Sequence, residues 1–390
     1  MRLGSRRRGR SARVAGLLVA AFLSLLVGAG FLNASDADRS RDQGARPDDP
    51  TRARAGSGPA PLKRFGKGLY LTSGPSAEMP FIDHVVIGFA WAALEPRDEA
   101  FHGSAWRAIR RQIRQEPDHK VRLRIMAGRF APAFVKRLGG PPVSAEEKDC
   151  SMEGGIAIVQ PANGIASCVP YFWTDVVLRQ YRELMIEVAR RFDKHPRVLD
   201  VVNSACMTNW AEPFIRSGND LGSNTRLWNA GLNEATDRHC LERSMRIHDR
   251  VFARTRISLA THQQWQIVVD PGIDADGVAP SWDKERELLE EFMETYGVKL
   301  ILQNNGLGGD EGCPRSTPPG SSLFCWMAGE VTRKGFQLEG DRRLERQGFS
   351  VVDAVERGLE LGACFIEHNQ FGSDRVQAKR FDTQLRQNCG

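Results

Sequence analysis

Several signatures are missing from this 390-residue chain, and each absence narrows its chemistry. There is no Cys-x-x-Cys and no pair of histidines at helical ligand spacing, so zinc-site and dithiol signatures are lacking. There is no Gly-x-Ser-x-Gly elbow and no His-Glu-x-x-His, which removes the markers of serine hydrolases and zinc proteases. The first apolar run is followed by Thr72-Ser73-Gly74-Pro75, not by the Gly-rich turn that a dinucleotide fold requires. Gly308-Gly309-Asp310-Glu311 opens like a cyclase signature but continues into Gly312 and Cys313, and the Gly-rich stretch leads into no helix that would cradle a phosphate. No repeat period is visible, and no acidic residue precedes Asp36.

What the first 34 residues do hold is basic and apolar. Arg2, Arg6, Arg7, Arg8, Arg10 and Arg13 precede an uncharged run, 14–32, built from Val, Ala, Gly, Leu and Phe with one Ser. This is the pattern of an export signal, with Leu32-Asn33-Ala34 as a cleavage point. Left uncleaved, residues 14–32 are nearly long enough to anchor the chain in a bilayer. The expected location is therefore secreted or extracytoplasmic, with a membrane contact only through this segment. The leader also carries the whole charge surplus. The chain has 54 Lys and Arg against 48 Asp and Glu, and six of those arginines lie before residue 35. The remainder is balanced and has no basic patch with interleaved aromatics, so nucleic acid is not an expected partner.

Eight cysteines lie beyond the leader, an even number in an exported chain, and predict disulfides. Spacing pairs Cys150 with Cys168 and Cys313 with Cys325, and Cys206 with Cys240 and Cys364 with Cys389 complete the set. Residues 35–62 are rich in Asp, Arg, Gly, Ala and Pro and nearly devoid of large apolar side chains, which predicts a flexible linker. Residues 63–390 then read as one domain, expected to be monomeric and to need no cofactor or metal.

Within that domain short apolar runs alternate with amphipathic stretches. Strands are expected at 68–71, 84–90, 121–126, 198–202, 257–260, 298–302, 335–338 and 363–366. Several are apolar on both faces, as in a buried parallel sheet. Helices are expected at 106–115, 174–192, 241–253, 283–296 and 351–361. Eight strands alternating with helices predict an α/β fold of the (β/α)8 TIM-barrel type.

In such a barrel the site forms at the C-terminal strand ends. The residues there are Trp91 and Glu95 after the second strand and Arg129 after the third. Asn203 follows the fourth, with Trp210 and Glu212 beyond it. His262 and Gln263 follow the fifth, and Gln303, Asn304 and Asn305 the sixth. Gln337 and Glu339 mark the seventh, and Glu367 and His368 the eighth. Amides, carboxylates, an imidazole and indole rings are what a sugar site needs: polar groups bond hydroxyls, and indole faces stack on pyranose rings. Trp91, Trp210, Trp265 and Trp326 are the stacking candidates. Arg122 and Arg124 alternate with Val121, Leu123 and Ile125, which allows one of them to point into the barrel as a charge partner.

Three stretches resemble one family in order. Trp91-Ala-Ala-Leu-Glu-Pro-Arg-Asp-Glu-Ala-Phe101 is similar to the W-x-x-L-E-P-x-x-G-x-F stretch of clan A glycoside hydrolases, a group of barrels including β-galactosidases and cellulase-like enzymes. The 121–132 stretch, VRLRIMAGRFAP, resembles the next strand and its G-x-x-A-P loop. The 190–196 stretch, RRFDKHP, resembles the helix end R-Y-x-x-H-P. The resemblance implies a hydrolase of O-glycosidic bonds acting on oligo- or polysaccharides. It also implies an acid/base Glu after the fourth strand and a nucleophile Glu ending the seventh, by position Glu212 and Glu339. Glu367 competes for the nucleophile role or binds substrate. One carboxyl must be protonated to assist the leaving oxygen and the other ionised. A gap of about 5 Å between them gives retention, the expected outcome, and one of about 6.5–9.5 Å gives inversion. The chain departs from the family at Glu99, where Gly is usual, and at Asn203-Ser204, where the family has Asn-Glu. That second departure sustains an alternative, a carbohydrate-binding barrel that has lost its acid/base residue.

Overall fold

The computed structural model describes residues 60–390 apart from 73–78, 116, 161–163, 215–220, 262–281, 310–312, 314–321, 372–373 and 390, and apart from the side chains of Leu221 and Trp282. The leader, most of the linker and the candidates His262, Gln263 and Trp265 thus lie outside the described residues.

Ten strands occur in chain order: β1 (Gly68–Leu71), β2 (His84–Ala90), β3 (Lys120–Met126), β4 (Ile156–Gln160), β5 (Ile165–Val169), β6 (Val198–Val202), β7 (Arg256–Thr261), β8 (Leu300–Leu307), β9 (Lys334–Leu338) and β10 (Phe365–His368). All but β4 and β5 close into one ring of eight parallel strands, with β1 pairing both β2 and β10. The chain is therefore a (β/α)8 barrel. The eight expected runs are the eight ring strands. β8 starts two residues later than expected and runs five residues further, because a 3-10 turn at Gly297–Lys299 precedes it. β4 and β5 form an antiparallel hairpin within the loop that follows β3, closed by Cys150–Cys168.

Helices surround the ring. The principal ones are α1 (Trp91–Leu94), α2 (Gly103–Gln115), α3 (Ala133–Lys136), α4 (Asp175–Phe192), α5 (Leu221–Asn229), α6 (Glu234–Val251), α7 (Trp282–Tyr296), α8 (Leu323–Glu330), α9 (Asp341–Gln347), α10 (Val351–Glu360) and α11 (Arg375–Asn388). α4 buries Val177, Leu178, Tyr181, Leu184, Met185 and Val188, the three- and four-residue steps that make a helix amphipathic. Capping boxes at Asn233 and Ser350 satisfy the first amides of α6 and α10. Among the described residues no helix is long and apolar enough to cross a membrane.

The core has two layers. One large apolar cluster fills the space between ring and helices. A second, formed by Tyr70, Val86, Ile301, Cys364 and Phe365, contributes the ring's apolar floor. Gly335 makes room there: a Cβ at this position would meet the Phe365 ring at 2.3 Å. α11 locks the seam. Asp382 accepts the Leu69 amide at 2.8 Å, and Arg386 joins Asp382 to Asp83. Cys364–Cys389 ties the end of α11 to the start of β10, and all four expected disulfides form.

Candidate active site

Above the apolar floor the barrel interior is charged. β3 reads Lys-Val-Arg-Leu-Arg-Ile-Met, and its period of two turns both arginines inward while Val121, Leu123 and Ile125 face the helices. Arg122 is fully buried over the Phe365 ring, 4.2 Å from its centroid. Its Nε donates to Asp200 Oδ1 on β6 at 2.6 Å, and its Nη1 donates to Glu367 Oε1 on β10 at 2.6 Å. Arg124 Nη2 donates to the other Glu367 oxygen at 2.8 Å and reaches Gln337 Oε1 at 3.5 Å. Burial pushes the Glu367 carboxyl up, but the Arg124 and Arg122 guanidiniums outweigh it and hold Glu367 below the usual value.

A relay of amides leads from this cluster to a second carboxyl. Arg122 Nη1 also bonds Gln303 Oε1. Gln303 Nε2 donates to Asn305 Oδ1 at 2.7 Å, and Asn305 Nδ2 donates to Glu212 Oε1 at 2.9 Å. Each amide in the chain thereby has its orientation set by its neighbours. Burial pushes Glu212 up to about 7; the Asn305 bond and Arg124 pull it down, and the negative charge of Glu367 pushes it up. Glu212 therefore stays protonated to near-neutral pH while Glu367 is ionised.

Glu212 reaches this place on the 203–214 loop. Asn203 and Ser204 are both buried in the scaffold. Asn203 donates to Ser244 Oγ on α6 at 2.8 Å and accepts the Ala205 amide at 3.2 Å. Ser204 Oγ bonds Ile125 O, and its amide donates to Tyr181 OH. Cys206–Cys240 then bolts the loop to α6. On its other side the loop meets the turn Gly128–Phe130 after β3, where the Arg129 amide donates to Thr208 O at 2.9 Å. Gly128 has φ +51°, and a Cβ there would lie 2.2 Å from that same Thr208 oxygen, so only glycine permits the approach.

Glu339 directly follows β9 and shares the inward side of Gln337 by strand alternation. Its amide donates to Leu307 O, it is 8% exposed, and Arg343 Nε lies 2.8 Å from its Oε2. Trp210, on the Glu212 loop, is 44% exposed.

Several expected substrate contacts are placed elsewhere. Trp91 is 1% exposed, donates its indole N–H to Glu95 Oε2 at 2.8 Å, and packs edge-on to Tyr181 of α4. It and buried Glu95 belong to the helical layer, because α1 turns the chain outward directly after β2. Burial pushes Glu95 up to about 7. Asn203 is corrected likewise, since both ends of its amide are taken by protein. Asn304 is buried on the face opposite Gln303 and Asn305, where Oδ1 accepts the Gly306 amide. One strand cannot aim three consecutive side chains at one bowl. His368, next to inward Glu367, points outward by the same rule and bonds Asp341 at 2.7 Å. Trp326 is buried against α7, its indole bonded to Glu290 at 3.1 Å.

Sequence reasoning missed Asn209. It is 1% exposed, and neither its Oδ1 nor its Nδ2 has a hydrogen-bond partner among the described residues. Its only advance signal is its place between Thr208 and Trp210 on the loop of Glu212. Among the described residues no group of three His, Cys, Asp or Glu side chains could hold a metal ion.

No protein family matches the chain, and no curated protein does. Solved structures do align with it. Endo-glycoceramidase II from Rhodococcus sp. is 13% identical over 80% of this chain and 76% of its own, with a TM-score of 0.40. The intracellular xylanase of Thermoanaerobacterium saccharolyticum is 10% identical over 77% of this chain and 84% of its own, also at 0.40. The endo-1,4-beta-xylanase of Caldicellulosiruptor owensensis is 8% identical over 72% and 76%, at 0.39. Likeness this remote assigns nothing by itself; the closed ring of strands and the side chains inside it carry the reading.

Proposed function

We propose that the protein is an exported glycoside hydrolase that cleaves O-glycosidic bonds of oligo- or polysaccharides with a protonated Glu212 and an ionised Glu339. The observation that carries this reading is the state of Glu212. A carboxyl held near pH 7 inside a barrel mouth, anchored through one oxygen by Asn305, is a proton donor in waiting. Its second oxygen bonds none of the described residues and is the one to approach the glycosidic oxygen. Environments that push carboxyls apart in pKa assign their roles: burial, with a smaller push from the charge of Glu367, keeps Glu212 protonated, while two guanidiniums keep Glu367 ionised.

Glu367 itself is a poor attacker, since two guanidiniums occupy both of its oxygens. Glu339 directly follows the seventh ring strand, two residues beyond inward Gln337, and keeps its partner Arg343 at the surface. In the proposed cycle Glu212 protonates the leaving oxygen while a Glu339 oxygen bonds the anomeric carbon and the glycosidic C–O bond breaks. Glu212 then takes a proton from water as that water displaces Glu339, with net retention. Trp210 offers the stacking face.

The test is a panel of nitrophenyl glycosides and plant and bacterial polysaccharides. Glu212→Gln should lower turnover by about 100-fold or more, least for the substrate with the best leaving group. Glu339→Gly should be inactive and regain turnover with azide, yielding a glycosyl azide. Azide rescue of Glu367→Gly instead would move the nucleophile to Glu367. The second reading, a carbohydrate-binding barrel, rests on the burial of Asn203 and Ser204 where the family carries its acid. Sugar binding without any turnover by the unmutated protein would establish it.

A further inference from the structure

The arginines of the strand ends and their loops are not matched alike. Arg122 and Arg124 face Asp200 and Glu367, and Arg343 faces Glu339. Arg129 faces no carboxylate among the described residues. Its guanidinium stacks on the Phe130 ring with Cζ 4.5 Å from the centroid, and its Nε is buried without a hydrogen bond. Burial alone pushes its pKa down, with no acidic group opposing. Taking a guanidinium partly out of water without an anion costs free energy, and an incoming anion would return it.

Asn209 repeats the pattern one residue beyond Thr208, whose carbonyl holds the Arg129 amide. Both ends of its side chain are buried and bond none of the described residues. Two adjacent loops thus hold a guanidinium whose buried Nε lacks an acceptor and an amide that has no partner among the described residues. The platform is rigid: Cys206–Cys240 fixes one loop, and the hairpin strand β5, stapled by Cys150–Cys168, packs against the Gly128–Phe130 turn. Guanidinium forks suit carboxylate and sulfate oxygens, which accept two parallel bonds, and an amide suits a neighbouring hydroxyl.

Building on the reading that the barrel mouth takes sugars, we propose that the preferred glycan bears an anionic substituent, a carboxylate or a sulfate ester, bound by Arg129 with Asn209 bonding the same sugar residue. The test uses the full chain carrying Glu212→Gln on an array of matched neutral, uronate-containing and sulfated glycans. Anionic glycans should bind at least tenfold tighter than their neutral counterparts at low salt, and the advantage should shrink with added NaCl. Adding Arg129→Gln should abolish the advantage, and adding Asn209→Ala should weaken binding. The uronate and sulfate arms tell the two anions apart. Binding confined to neutral glycans, or to none, overturns the proposal, as does an anionic preference that survives Arg129→Gln. Should that variant fail to fold, an anionic preference insensitive to NaCl in the parent also overturns it. Anionic glycans bound but never cleaved by the unmutated protein would sink the hydrolase reading and leave this one standing; neutral glycans cleaved with no anionic preference would do the reverse.

Discussion

Glu212→Gln makes the buried acid measurable without any substrate. Gln keeps the oxygen that accepts from Asn305 and removes only the titration. In the unfolded chain Glu212 ionises at its ordinary 4.5; in the fold it does so at about 7. Between those values the folded state holds a proton that the unfolded state has released, so the parent loses stability as pH rises through this window and levels off above it. At about 1.4 kcal/mol per pH unit, reduced somewhat for the partial exposure of the side chain, the loss is roughly 2–3 kcal/mol. The variant has no such loss. Urea unfolding followed by tryptophan fluorescence at pH 4, 5, 6, 7 and 8 should show the two proteins nearly equal at pH 4. The variant should draw ahead between pH 5 and 7 and lead by roughly 2–3 kcal/mol at pH 8. Glu95 titrates in the same window but is common to both proteins and cancels in the difference. A difference that is flat with pH, or that grows toward acid, would refute the placement of Glu212 in a low-dielectric mouth.

Other changes test the scaffold around it. Glu99 holds φ +55°, a backbone conformation that favours glycine, so Glu99→Gly should raise the urea midpoint by the equivalent of about 1 kcal/mol; an unchanged or lower midpoint contradicts the strain. Glu367→Gln leaves Arg122 and Arg124 without their shared anion and should cost about 3–5 kcal/mol, measured in the same way; a loss under about 1 kcal/mol would mean the guanidiniums find other partners. Because Glu367 is held below its unfolded value, its contribution is present above about pH 4.5 and is lost as the medium is acidified through the lower folded value.

Much of the fold was legible because the ring strands are short, nearly continuous apolar runs with helical periods between them. Spacing made the Cys150–Cys168 and Cys313–Cys325 disulfides legible, and the two remaining pairs followed as the completion of an even set. The hairpin was not: Ile156–Gln160 and Ile165–Val169 are five residues each inside a stretch that reads as a stapled loop, and only their pairing makes them strands. The polar barrel interior also misled. Gln303, Asn304 and Asn305 read as the end of an apolar run, yet β8 continues through them, because at that height the ring is lined with Arg, Gln, Asn and Glu. Once the strand is extended, pleating separates Asn304 and His368 from the bowl. Trp91 and Glu95 failed for another reason. Their motif marks a wedge between ring and helix, and an apolar indole with a nearby carboxyl looks the same in sequence whether it faces a sugar or a neighbour. Asn209 carries no pattern at all; it stands out only through bonds it does not make.

The seam at β1 has a bearing on how this chain is made. A ribosome delivers β1 early, but its second neighbour, β10, and the Asp382 clasp on its Leu69 amide come from residues 365 onward, about 300 residues later. Until those emerge, the nascent sheet has two bare edges, at β1 and at β9, each able to pair with another chain. Products ending before residue 365 should therefore aggregate rather than accumulate as small folded fragments.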